Sequence, residues 1–362
     1  MNLLIEKQNF SQLNINEWRG KCNDALDKLW QASWLTSSMN KTDQTLGEVI
    51  TKLGDEIASK CNLVVIVATG HLGRTIKSVI DASPQTPQAP EVLVFGESLS
   101  TDHYAQLITR LETEDFVLIG ETEGEESLQF KAAFTVLKQL LIDKYGTVLA
   151  ADRIYAVAGK TSTLLGKDAT ENDYPLINYP EELDGLFAAN TAAVLLPMAI
   201  KGVDLAAYLE GFYEMLSSPT WDLDGADYAM GRAAFLSEAM GKDHLWIWQN
   251  QFSGLGKWEE AFGLRALTLP DDEEIIQGKS FDTMITVKEN WADIMTPTFD
   301  GCHEDGSLGL LLVDTWEACF SVNPEENPRV HLSVERLDSH TLGELMAFLQ
   351  LSNGITEILL GK

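Results

Sequence analysis

The chain has 362 residues, 45% of them hydrophobic and 22% charged, and a formal net charge of −29. Single hydrophobic cores stop growing at roughly 250 to 300 residues, so this length predicts two α/β domains rather than one. The acidic balance excludes nucleic acid, whose phosphates need clustered Lys and Arg, and it excludes anionic membrane surfaces. It fits a solvated acidic surface on a cytoplasmic protein, with a cationic partner as the other reading.

Residues 12–60 read as helical. Trp18, Ala25, Leu26, Leu29 and Trp30 fall near helical spacing, and Leu46, Ile50, Leu53 and Ile57 repeat it. The period then changes. Leu63-Val64-Val65-Ile66-Val67 is a continuous β-branched run closed by Thr69-Gly70, as expected of a strand buried on both faces. A helix follows over 72–80, a strand over 91–96, a helix over 102–111 and a strand over 116–120. A long amphipathic helix carries Phe130, Phe134, Leu137 and Leu141 on one face and stops at Lys144-Tyr145-Gly146. Ile154 to Val157 and Pro175 to Tyr179 are further strands. Strands alternating with helices of this length predict βαβ units, with the strands near 62–68, 91–96, 115–120 and 153–158 as parallel neighbours.

The second half is less regular. Phe187 to Ile200, Leu205 to Leu216 and Tyr228 to Met240 read as helices. Leu245 to Trp248, Met284 to Val287, Gly309 to Val313 and Val330 to Val334 read as strands, and Thr341 to Leu351 as a closing helix with Gly343 inside it. Pro270 to Glu274 is the most linker-like stretch. The apolar segment from Ala188 to Ile200 is broken by Asn190, Thr191 and Pro197, short of the ~20 apolar residues of a membrane span. Met1 to Lys7 lacks the long apolar region of a signal peptide. Cys22, Cys61, Cys302 and Cys319 form no C-x-x-C pair and no metal-ligand spacing with the histidines, so reduced thiols and no metal are expected. His244, His331 and His340 read as packed or surface residues, and the tryptophans as core and interface packing. No cofactor is expected.

In an open parallel sheet, ligands bind beyond the carboxyl ends of the strands. Three turns therefore matter: Val67 to Arg74, Gly96 to Ser100, and Gly120-Glu121-Thr122-Glu123-Gly124-Glu125-Glu126-Ser127. The candidate ligand-binding residues on them are Thr69, Gly70, His71, Ser98, Glu121, Thr122, Glu123, Gly124, Ser127 and Gln129. Thr69-Gly70-His71 is either a ligand-contacting turn or an ordinary strand-ending one. The glutamates are either a solvated helix start or a site for a cation or amine.

These turns carry a resemblance. Ile66 to Gly73 reads I-V-A-T-G-H-L-G, the third turn reads G-E-T-E-G-E-E-S, and Arg153-Ile154-Tyr155-Ala156 follows. Asp184 to Pro197, Met198 to Asp204 and the tail Thr341-Leu342-Gly343-Glu344-Leu345 with Ile358 to Gly361 continue the same order. In this order and wording the chain resembles the phosphoglucose isomerase family, most specifically over 62–216 and thinly over 250–310. The resemblance implies tandem three-layer αβα sandwiches of the SIS type with parallel sheets. It implies a helical N-terminal arm over 1–44, a first SIS-like domain over 45–185 and a second over 186–362 with a C-terminal helix. It further implies a homodimer, a sugar or sugar-phosphate ligand, and aldose–ketose isomerisation in glycolysis and gluconeogenesis.

The departures fall on functional positions. The family's hydroxyl-rich phosphate loop is replaced by Glu121, Glu123, Glu125 and Glu126, which set like charges where a dianion would sit. The family's final glutamate of that loop falls on Ser127 or Gln129. Its arginine falls on Leu186 and its general-base glutamate on Leu264. The histidine-bearing segment is not matched, nor is the C-terminal lysine. Two readings stay open: a sugar-phosphate isomerase, or a catalytically silent relative that binds a carbohydrate derivative or a partner protein.

Overall fold

The structure, a computed structural model, describes residues 3–8, 15–31, 44–84, 86–159, 163–180, 182–217, 232, 233, 237, 244–248, 252–262, 266–268, 280–287, 329–334 and 337–361. These group into two compact units, one from Trp30 to Glu210 and one from Met1 to Leu29 together with Gly211 to Lys362. The chain opens with strand β1 (Leu3–Gln8) and helix α1 (Ile15–Gln31). The helical reading of the sequence began at residue 12, and strand β1 precedes it. Leu3 to Gln8 pairs antiparallel with Arg329 to Val334, a partner more than three hundred residues away that no local pattern could reveal.

The unit from Trp30 to Glu210 then runs through α2 (Gln44–Ala58), β2 (Leu63–Val67), α3 (Gly70–Ala82), β3 (Glu91–Phe95), α4 (Thr101–Thr113), β4 (Phe116–Glu121) and α5 (Leu128–Ala151). It continues with β5 (Ile154–Ala158), α6 (Leu164–Glu171), β6 (Leu176–Asn178), a 3-10 turn (Gly185–Phe187), α7 (Ala192–Ile200) and the start of α8 (Leu205–Ser217). Its five strands stand in the order β3-β2-β4-β5-β6, and every pairing is parallel. The alternation expected from the β-branched runs is met. Leu63, Val65 and Val67, with Phe116 and Leu118 and with Ile154, Ala156 and Ala158, face a core closed by α4, α5 and α6. Phe130, Phe134, Leu137 and Leu141 of α5 all lie in it. Gly146 has φ 75° and interrupts α5 where the sequence signalled a stop. Val64, Ile66, Val117, Ile119, Tyr155 and Val157 alternate to the other face and are equally buried. On that side α2 and α3 pack against α7. These layers make an αβα sandwich.

One predicted helix is corrected here. Phe187 to Ile200 is not continuous: the 3-10 turn ends at Phe187, and α7 begins at Ala192. Thr191 takes an extended conformation at φ −91°, ψ 164°, and its hydroxyl donates to the Ala188 carbonyl at 2.8 Å. The Asn190-Thr191 pair therefore resets the chain before the apolar run can turn helical.

The other unit contains β7 (His244–Trp248), α9 (Ser253–Glu260), β8 (Ala266–Thr268), β9 (Ser280–Val287), β10 (Arg329–Val334) and α10 (Ser339–Leu359). Its sheet has the order β1-β10-β9-β7-β8, parallel throughout except for the β1 edge. Helix α10 runs well past Leu351. Residues Thr341 to Thr356 are buried all round, and such packing outweighs the poor helix propensity of Gly343 and Gly354. The strand expected at Gly309 to Val313, the linker-like stretch at Pro270 to Glu274 and most of the helix expected at Tyr228 to Met240 lie outside the described residues. No helix among the described residues is long and apolar enough to cross a membrane.

Candidate functional site

The strand order places a topological switch between β2 and β4. From β2 the chain goes to β3 on one side, then crosses over to β4 on the other. Helix α3 after β2 and helix α5 after β4 lie on opposite faces, which opens a crevice at the carboxyl ends of these two strands. Val67 of β2 pairs with Gly120 of β4, so the turn at Thr69 and the turn at Glu121 are brought side by side.

The contacts follow from that register. The Thr69 and Ser127 hydroxyls are 3.1 Å apart. Ser127 caps α5 by accepting the Phe130 N–H at 3.0 Å. Gly70 starts α3 at φ 67°, a left-handed conformation that only glycine adopts cheaply, and its N–H donates to Glu97 Oε1 at 2.7 Å. His71 Nδ1 sits 3.0 and 3.2 Å from the two carboxylate oxygens of Asp184. The Gly185 N–H donates to Glu123 Oε2. A Cβ at Gly185 would overlap both the Leu72 backbone and the Glu123 carboxylate, so this approach requires glycine. Glu126 Oε1 accepts the Leu165 N–H at the start of α6, at 2.8 Å. Thr122 is turned inward within its own loop, where its hydroxyl donates to the Gly124 carbonyl at 3.0 Å.

Glu121 stands apart. It ends β4 on the face opposite Gly120 and is 1% exposed. Neither carboxyl oxygen has a hydrogen-bond partner among the described residues. Burial pushes its carboxyl well above the usual carboxylate range. Burial also raises Glu123, seconded by the charge of Asp184, while the Gly185 and Leu72 N–H groups and His71 pull it back. The Tyr179 hydroxyl is raised by burial first and then by Glu123, Asp184 and Glu121, so these four groups share one electrostatic neighbourhood.

Of the residues expected from sequence, Thr69, Gly70, His71, Glu121, Thr122, Glu123, Gly124 and Ser127 lie on the two adjoining turns. Gln129 is half-buried in the first turn of α5. Ser98 accepts the Ser100 N–H at 3.0 Å inside the β3 turn and makes no described contact with the others. Sequence reasoning missed Glu97, Tyr179 and Asp184 as site residues. Glu97 could have been found from its place directly after Gly96 at the end of β3, and Asp184 from its place before Gly185. Tyr179 carried no signal, because only the fold brings it to the carboxylates. Leu186, at the position of the family's arginine, is 4% exposed, and its N–H donates to Asp184 Oδ1 at 2.8 Å. Leu264 lies outside the described residues.

No protein-family model matches the chain. A glucose-6-phosphate isomerase of Streptococcus pyogenes serotype M3 is 29% identical over 187 residues, which are 49% of this chain and 41% of that protein. The chain thus matches less than half the length of this relative. A glucose-6-phosphate isomerase of Streptococcus thermophilus is 23% identical over 350 residues, 84% of this chain and 76% of that protein. Among solved structures, a hypothetical protein of Thermus thermophilus superposes with a TM-score of 0.82 at 14% identity, covering 98% of this chain and 94% of that one. A glucose-6-phosphate isomerase of Chlamydia trachomatis superposes with a TM-score of 0.71 at 12% identity, covering 90% and 70%. The structural likeness establishes the fold. The chain is thus similar to the phosphoglucose isomerases, at low identity in sequence and over most of its length in fold.

Proposed function

We propose that this chain uses the SIS scaffold to bind a carbohydrate derivative at the β2–β4 crevice without isomerising a sugar phosphate. One observation carries the reading. The backbone N–H groups at Gly70 and Gly185 and at the start of α6, the kind of donors that hold a phosphate, are held by the chain's own Glu97, Glu123 and Glu126. A dianion would have to displace carboxylates from charge-assisted hydrogen bonds, each worth about 1.5–3 kcal/mol. It would also meet their charge. Leu186 supplies neither a positive charge nor a proton acceptor, and general acid–base help is typically worth ~10²–10⁴-fold in rate. Glu121, which burial biases toward its protonated form, can donate a hydrogen bond to a hydroxyl or amine acceptor.

A coupled assay on purified chain, cleared of host isomerase, decides between binding and turnover. No conversion of fructose 6-phosphate is expected above the uncatalysed rate. In calorimetry, glucose or glucosamine is expected to bind no more weakly than its 6-phosphate. Turnover of several per second that travels with the chain would overturn the proposal. It would favour the second reading, a working phosphosugar isomerase, for which the similarity over 84% of the chain speaks. The same proposal takes the chain as a cytoplasmic homodimer. Light scattering should then find about twice the 40.0 kDa chain mass, and a 40.0 kDa species alone counts against it.

A further inference from the structure

Helix α10 begins just after Asp338, whose carboxylate accepts the Thr341 N–H at 2.8 Å. His340 and Glu344 follow, one turn apart and therefore on one face. The last turn of α8 brings Glu214 to the same place. Its carboxylate is 3.3 Å from His340 Nε2, and the Glu344 carboxylate is 4.0 Å from Nδ1. The approach depends on Gly211, where a Cβ would overlap the His340 carbonyl oxygen. One donor atom from each of the three residues lies within 4.8 Å of the other two.

A plain His–Glu ion pair leaves part of this arrangement unexplained. His340 Nδ1 is enclosed and has no hydrogen-bond partner among the described residues. Its 4.0 Å separation from Glu344 is too long for a hydrogen bond. It is the separation of two ligands on one ion, because bonds of about 2.0–2.2 Å set donor atoms roughly 3–4 Å apart. Glu344 is 1% exposed, while the Glu214 side chain is 55% exposed, so the cluster is closed on one side and open to water on the other.

We propose that Glu214, His340 and Glu344 form a divalent-cation site. One imidazole and two carboxylates suit zinc or a similar first-row transition ion rather than calcium or magnesium, with water completing the shell. The ion staples the last turn of α8 to the first turn of α10. The Cys–His spacings of the sequence pointed to no metal, and two of these three ligands are glutamates, one of them on a separate helix.

The test uses the full chain, stripped with chelator and titrated with zinc in a millimolar excess of magnesium, since so acidic a surface binds cations loosely everywhere. One zinc per chain should survive the magnesium. His340→Ala should weaken it about 10-fold or more, the scale of losing a ligand or its support. Glu214→Gln should do the same, and its exposure makes misfolding no excuse. Cobalt(II) in place of zinc should show a visible absorption band that both substitutions abolish. Zinc that magnesium displaces completely, or one zinc held equally by wild type and both variants, would overturn the site.

Discussion

Glu121 and Glu259 are both almost completely enclosed, at 1% and 0% exposure, and they lie in different units. Glu259 sits among partners. Arg232 donates to it at 3.4 Å and Asn353 Nδ2 at 3.0 Å, and the same guanidinium donates to Asn353 Oδ1 at 2.9 Å and to Ser352. Burial raises its carboxyl, and Arg232 and Asn353 oppose the rise. Among the described residues nothing opposes it at Glu121. A buried carboxylate that serves the fold comes with the donors that offset its desolvation. One without them, at the carboxyl end of a strand beside a switch point, is a stability cost, and it is the kind of residue the proposed ligand site would use.

Four substitutions test that contrast. The largest effect is expected at Arg232→Met, which strands Glu259 without its cation. Denaturant unfolding should show a loss of about 3–5 kcal/mol, and a loss below about 1 kcal/mol would mean the network is not the support described. Gly185→Ala comes next, because a Cβ there must push aside the Leu72 backbone and the Glu123 carboxylate. A cost of about 1–3 kcal/mol is expected, together with weakened sugar binding.

Glu121→Met should act in the opposite direction and stabilise the chain by about 1–3 kcal/mol at about pH 8, while abolishing ligand binding. The sign follows from the raised carboxyl. The folded state holds the Glu121 proton more tightly than an ordinary carboxyl at 4.5, so the wild-type contribution is complete below that value and is lost as pH rises through the folded value. The gain from Glu121→Met must therefore grow from acid to alkaline pH. A gain independent of pH would show that the carboxyl is not the cause. The smallest effect is expected at Lys77→Ala. Its pair with Asp81 is 2.9 Å long but exposed at both ends, so thermal melts should register less than about 1 kcal/mol.

The layered half of this protein is legible from local residues. Leu63 to Val67 and Phe116 to Gly120 are apolar on both faces, a pattern that needs helices above and below, and the turn residues after them marked where a crevice would open. The strand bounds and the stop at Gly146 could be read because they are set by residues within a few positions of one another. Three features came instead from contacts between distant parts of the chain. Leu3 to Gln8 closes the far edge of the second sheet, and a six-residue strand gains its hydrogen bonds only from such a partner. Glu123 and Glu126 read as either a solvated helix start or a cation or amine site, and Glu97 is not singled out, until the register of β2 to β5 sets all three against N–H groups at turns and helix starts. Among the described residues Glu121 has no hydrogen-bond partner and Glu259 has several, and nothing near either residue in the chain foretells the difference. Burial and hydrogen bonding are properties of the neighbours a side chain meets, and for these two residues the decisive neighbours come from elsewhere in the chain.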